Sequence, residues 1–191
     1  MKMIQPKTVG IRKKKHLQIC FTALFAALIA GGTFIAIPIG PIPIVLQNLF
    51  ALLSGLILGP LLGCAAVALY LLAGILGAPV FAGFSGGFTR LLGPTGGYLM
   101  GYFFMALVAG LMVGRPGIKV SLGRIIIATV TGLLMVYVPG LLWLKIVTGS
   151  SWAKTLMAGF VPFLIGDVGK GVGAVLVTKR LRKTATDLLD E

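Results

Sequence analysis

Apolar residues run along this chain in long blocks, interrupted by clusters of proline, glycine and basic residues. The strict apolar–polar alternation of a half-buried strand is absent from these blocks, and their length favours helix. They predict six helices: Leu17–Ile39, Ile44–Leu58, Leu61–Leu76, Thr95–Val113, Ile125–Lys145 and Ala158–Thr178. Crossing a bilayer takes about 20 mostly apolar residues, so each block is read as a membrane span, the second and third being short for the task. The breaks have physical causes. The first block ends at Pro38-Ile39-Gly40-Pro41-Ile42-Pro43, where three prolines forbid helix. Gly59-Pro60 ends the second, and the glycine-rich connector Gly77–Pro94 follows the third. Gly55-xxx-Gly59-xxx-Gly63, Gly97-xxx-Gly101, Gly110-xxx-Gly114 and Gly169-xxx-Gly173 set small residues one turn apart, which lets lipid-embedded helices approach closely.

Composition narrows the class. Of 191 residues, 58% are hydrophobic and 11% charged, with a mean hydropathy of +1.05; soluble domains carry about 25% charged residues. A water-soluble fold is excluded, and six spans leave no room for a nucleotide-hydrolysing domain. Any uphill movement of a solute would draw on a partner or an ion gradient. The net charge is +13, and its placement is informative. Lys2, Lys7, Arg12, Lys13, Lys14 and Lys15 crowd the start, and Lys179, Arg180, Arg182 and Lys183 the end. Arg115, Lys119 and Arg124 flank the loop after the fourth block, whereas the opposite connectors and their edges hold only Arg90, Lys145 and Lys154. Such asymmetry places both termini in the cytoplasm against anionic lipid and argues against nucleic acid as the partner.

The chain therefore reads as an all-α integral membrane protein. A basic arm (residues 1–16) precedes one six-helix transmembrane domain (17–178), and a cytoplasmic tail (179–191) follows it. The first apolar run exceeds the roughly 7–15 residues of a signal-peptide core and is read as a retained span. Cys20 and Cys64 sit in apolar blocks as small packing residues, with no disulfide or metal framework.

Polar residues at depth carry the chemistry. Asp167 is the one carboxylate within the apolar blocks, about nine residues into the sixth, and Lys170 follows one turn later on the same face. A charge at the centre of a span costs about 2.5–3.5 kcal/mol on insertion scales, so such residues default to function. Either the two neutralise each other and pin the bundle, or they hold a polar ligand, Asp167 accepting from N–H groups and Lys170 donating to an oxygen. Gly166, Gly169 and Gly171 would let that ligand approach the backbone. Arg90 is either a solvated loop cation or a bidentate clamp for a carboxylate. Tyr98 is a ligand hydrogen-bonder or an interface anchor, and Gln47 and Asn48 are ligand contacts or interhelical glue.

Catalytic motifs fail. Gly83-Phe84-Ser85-Gly86-Gly87 lacks a histidine on its side of the membrane, since the lone His16 lies in the basic arm. Gly166–Gly171 lacks the first glycine and the Ser/Thr of a phosphate loop. An intramembrane aspartyl protease needs a second carboxylate. No catalytic residues and no metal ligands are assigned.

The segment Gly77-Ala78-Pro79-Val80-Phe81-Ala82, continuing through Gly86-Gly87 to Leu92-Gly93-Pro94-Thr95-Gly96-Gly97-Tyr98-Leu99, resembles the signature of the BioY family. These are the biotin-binding S components of energy-coupling factor (ECF) vitamin transporters. Asp167-Val168-Gly169-Lys170 is similar to the family's D-x-x-K in its last helix. The resemblance implies a non-enzymatic, cofactor-free subunit in a prokaryotic cell membrane that captures biotin at the outer face. It would dock on a transmembrane coupling protein and two ATPase subunits. Asp167 and Lys170 would address the ureido ring, and Arg90 the valerate carboxylate. Phe81, Phe84, Tyr98 and Trp143 would line an apolar pocket, with Pro38–Pro43 as a lid. Ala23/Ala27 or Ala26/Ala30 on the first helix is similar to the family's docking stripe. The competing readings are a proton-coupled secondary transporter with Asp167 titrating, an S component for another vitamin, and a membrane assembly subunit without ligand.

Overall fold

A computed structural model describes residues 7–37 and 44–190, with side chains over 15–35 and 45–185. Helix α1 (Lys7–Gly31) begins well before the expected Leu17 and passes through a single 3-10 turn, Gly32–Phe34. A two-residue antiparallel ribbon, β1 (Ala36–Ile37) with β2 (Ile44–Val45), then pairs Ala36 with Val45 and Ile37 with Ile44. The expected lid, Pro38–Pro43, lies outside the described residues.

Helix α2 (Gln47–Ile75) contains the second and third expected blocks. Its break falls at Gly59, with φ +80° and ψ −177°, a backbone region open almost only to glycine. Pro60 follows, where a missing N–H at a helix start is harmless. Beyond it the chain doubles back. A Cβ added to Gly63 would lie 2.8 Å from Gly55 Cα, whereas eight residues of straight helix would separate the two by about 12 Å. At the open ends of the two arms, Gln47 Nε2 donates to Tyr70 Oη at 2.9 Å. Among the described residues, five helical segments are long and apolar enough to cross a membrane, and this hairpin is counted among them as one.

A short helix, α3 (Thr89–Leu92), interrupts the glycine-rich connector. Helix α4 (Gly96–Val113) packs against both α2 and α5 (Leu122–Thr148). Glycines set these contacts. A Cβ on Gly55 would meet Ala106 O at 2.3 Å, one on Gly110 would meet Pro60 Cα at 2.7 Å, and one on Gly97 would meet Pro139 O at 2.4 Å. Gly169 and Gly173 do not serve this purpose; neither has an atom within 4 Å of an added Cβ.

The sixth expected block differs most from the structure. Its connector is helical as α6 (Trp152–Gly159), the chain breaks through the 3-10 turn Val161–Phe163, and α7 (Leu164–Asp190) follows. Pro162 in that turn cannot continue the hydrogen-bond ladder of α6. On α1, Ala26 is buried and Ala30 half-buried against the core, while Ala23 and Ala27 are exposed. Of the two cysteines, Cys64 is buried, whereas Cys20 is exposed and does not pack as expected.

Candidate ligand-binding site

Helix α7 turns one continuous stripe inward. Asp167, Lys170, Ala174, Thr178, Arg182 and Ala185 are all buried, at the spacing of three or four that keeps residues on one face. Ile165, Val168, Val172 and Leu176 on the opposite side are exposed. The helix shows apolar side chains outward and keeps its ionisable groups inside. Asp167 is not at the middle of an unbroken span, as expected, but in the first turn of α7. The free amide groups there carry partial positive charge, so the backbone itself favours a carboxylate at this position.

Three elements converge on that carboxylate. Oδ1 accepts from Lys170 Nζ at 3.1 Å and from Asn48 Nδ2, on the first arm of α2, at 3.2 Å. Oδ2 accepts from the Tyr137 hydroxyl of α5. The other amide atom of Asn48, Oδ1, is buried with no hydrogen-bond partner among the described residues. An acceptor left in this state costs about 1–3 kcal/mol. It borders a cavity of about 40 Å³ walled by Val45, Tyr98, Tyr102, Val136, Tyr137, Phe163 and Lys170. That volume holds on the order of one or two waters. A larger hollow of about 490 Å³ runs along the seam of α5 and α7; Asp167 lines this one and not the smaller, and Tyr137 stands between the two. Its walls are otherwise almost wholly aliphatic and aromatic, whereas the polar partners of Asp167 (Asn48, Tyr137 and Lys170) all line the smaller cavity.

The other sequence candidates divide. Tyr98 lines the cavity, donates to Gly159 O at 2.8 Å and meets Tyr137 edge-on at 6.3 Å. Gln47 is buried elsewhere, where Nε2 donates to the Tyr70 hydroxyl, to Thr33 and, at 2.8 Å, to Val80 O, tying the connector to the end of α1. Trp143 Nε1 donates to Gly93 O at 2.9 Å and braces the turn before α4, away from the cavity. Phe81 packs on Tyr70. Phe84 is exposed and stacks edge-on with Phe34. Arg90 is exposed on α3 and does not reach the buried cluster.

Sequence reasoning missed Tyr137 and Tyr102. Tyr102 lies one turn beyond Tyr98 on the same face of α4, and Tyr137 lies at mid-helix, far from the interfaces where tyrosine usually anchors. Both signals were present in the chain. Among the described residues there is no group of three metal-ligating side chains.

The chain shares its fold with a membrane transport subunit of known structure. The crystal structure of an S component for biotin from an ECF-type ABC transporter superposes with a TM-score of 0.80 at 29% identity, covering 94% of this chain and 95% of that one. The BioY family model matches residues 6–187. A probable biotin transporter BioY of Pyrococcus horikoshii is 40% identical over 88% of this chain and 98% of its own. The biotin transporter BioY of Thermotoga maritima is 42% identical over 87% and 96%. The chain belongs to the BioY family and is a multi-pass membrane transport subunit, not an enzyme.

Proposed function

We propose that this chain captures biotin in the membrane as the substrate-binding subunit of an ECF-type importer. The observation that carries the reading is the convergence of Asn48, Tyr137 and Lys170 on Asp167 beside an aromatic cavity. A ureido group presents two N–H donors and one carbonyl acceptor. Asp167 and the unpartnered Asn48 Oδ1 supply acceptors for the donors, and Lys170 holds an ammonium for the carbonyl. Tyr98, Tyr102 and Phe163 offer the ring an apolar wall. Biotin exceeds the roughly 40 Å³ cavity, so binding requires the walls to part and Lys170 to share its bond with the ligand.

The membrane arrangement follows the charge. The α2 hairpin supports six crossings, and the basic flanks support cytoplasmic termini in a prokaryotic cell membrane, so that the cavity opens outward. Residues 17–178 act as one transmembrane domain between a basic arm and a tail. Partners are a transmembrane coupling protein and two ATPase subunits, with the exposed Ala23/Ala27 stripe as the docking face. Arg90 on α3 is placed to meet the ligand carboxylate only if the connector moves toward the cavity.

One observation favours a second reading. Asp167 already neutralises Lys170 within α7 at 3.1 Å and accepts from Asn48 of α2 and Tyr137 of α5, the arrangement of a bundle clamp. Isothermal titration of the purified chain with biotin, thiamine and riboflavin separates the two: heat with biotin alone supports capture, and heat with none of the three leaves the clamp.

A further inference from the structure

The inward stripe of α7 carries a second polar group at its other end, about 22 Å from Asp167 along the helix. Arg182 is buried there, and among the described residues its guanidinium donates to backbone carbonyls. Nη1 bonds Leu56 O, and Nη2 bonds Val113 O at 2.8 Å, Arg115 O at 2.9 Å and Gly114 O at 3.0 Å. These carbonyls end the first arm of α2 and helix α4, where partial negative charge collects. Arg182 thus staples three helices at the basic end. Its Nε is buried without a hydrogen-bond partner among the described residues, and so is Oγ1 of Thr178, one turn earlier.

Both side chains lie on the wall of a cavity of about 500 Å³. Lys119, Lys179 and Lys183 line it as well, and none of the described residues lining it is acidic. Four like charges around one hollow repel each other unless an anion enters. The rest of the wall is apolar, including Ile118, Leu122 and Ile125. A soluble anion has no use for that surface. A phosphodiester carrying acyl chains uses both halves, the phosphate at the cations and a chain along Leu122 and Ile125.

We propose that this cavity binds the phosphate of an anionic phospholipid from the adjacent leaflet, so that one lipid molecule fills the seam between α7, the start of α5 and the loop before it. The inference is independent of what the cavity beside Asn48 and Lys170 holds.

The test uses the full chain purified in neutral detergent, with thermal unfolding read as phosphatidylglycerol, phosphatidylcholine or sodium phosphate is added. A ligand that binds only the folded form raises the midpoint by mass action. Phosphatidylglycerol should raise it saturably while phosphatidylcholine and sodium phosphate do not. Replacing Lys119, Lys179 and Lys183, all exposed, by Gln should weaken the apparent affinity by about tenfold or more, because each cation near a lipid surface contributes a substantial attraction. Lys145→Gln with Lys154→Gln, at the opposite end, should leave it unchanged. The proposal is overturned by equal stabilisation with phosphatidylcholine, by sodium phosphate matching phosphatidylglycerol, or by equal losses in the two sets of variants. If the triple variant does not fold, the three single substitutions are read by the same criteria.

Discussion

Asn48 and Asp167 stand 119 positions apart in the chain and 3.2 Å apart in space. The contact joins the start of α2 to the start of α7. It also fixes the amide so that Nδ2 serves the carboxylate and Oδ1 remains free to accept. Asn48→Ala removes both functions. Hydrogen bonds to charged groups contribute about 1.5–3 kcal/mol, and every 1.4 kcal/mol is tenfold in affinity. Biotin affinity should fall roughly tenfold to a hundredfold by isothermal titration, with the helical circular-dichroism signal retained.

Tyr137→Phe deletes one donor to Asp167 and keeps the ring, which packs edge-on against Phe160 at a centroid distance of 4.7 Å. Among the described residues, the carboxylate then keeps only Asn48 and Lys170 as donors. Biotin should bind about tenfold more weakly, on the same energy scale. An unaltered titration would place the hydroxyl outside the binding cluster.

Two glycines on different helices should respond in opposite ways. Gly97→Ala forces a Cβ to within 2.4 Å of Pro139 O and of Trp143 Cβ, a close approach that a flexible side chain cannot relieve. Overpacking of this kind costs about 1–3 kcal/mol, and in a chain of this size each kcal/mol lowers the unfolding midpoint by about 2–4 °C. Gly169→Ala meets nothing within 4 Å and gains helix propensity, so its midpoint should hold or rise. Differential scanning fluorimetry in detergent distinguishes them.

On α1 the structure separates two stripes that sequence left equivalent. Ala26→Leu pushes into the core and should lower the melting midpoint. Ala23→Leu and Ala27→Leu point outward; they should leave biotin binding intact and prevent co-purification with the coupling protein. Normal assembly of the outward variants would move the docking face elsewhere.

Much of this was legible in the residues. The breaks at Gly59-Pro60 and at the glycine-rich connector could be placed because proline and positive-φ glycine act locally. Asp167 and Lys170 stood out because a charge inside an apolar block is costly wherever it lies. What could not be read depends on tertiary placement. Helical conformation over Trp152–Gly159 looked like a connector because Ser150, Ser151 and Lys154 dilute its apolarity. Gln47 and Asn48 are chain neighbours, yet helical geometry turns one toward Val80 and the other toward Asp167. Tyr98 and Trp143 shared a plausible depth with the site, but depth says nothing about which way a helix faces, and Trp143 turns to Gly93; Arg90 shared only its neighbourhood in the signature, which does not fix where a connector side chain ends.

The most direct measurement is isothermal titration of biotin into the chain and into Asp167→Asn, which keeps the side chain's shape and removes its charge. On the present account the wild type gives a saturable isotherm and the variant loses more than tenfold in affinity, since a charged acceptor outweighs a neutral one. Indistinguishable isotherms for the two proteins would mean that the carboxylate beneath Tyr137 only braces its neighbours, and that solute is gripped elsewhere.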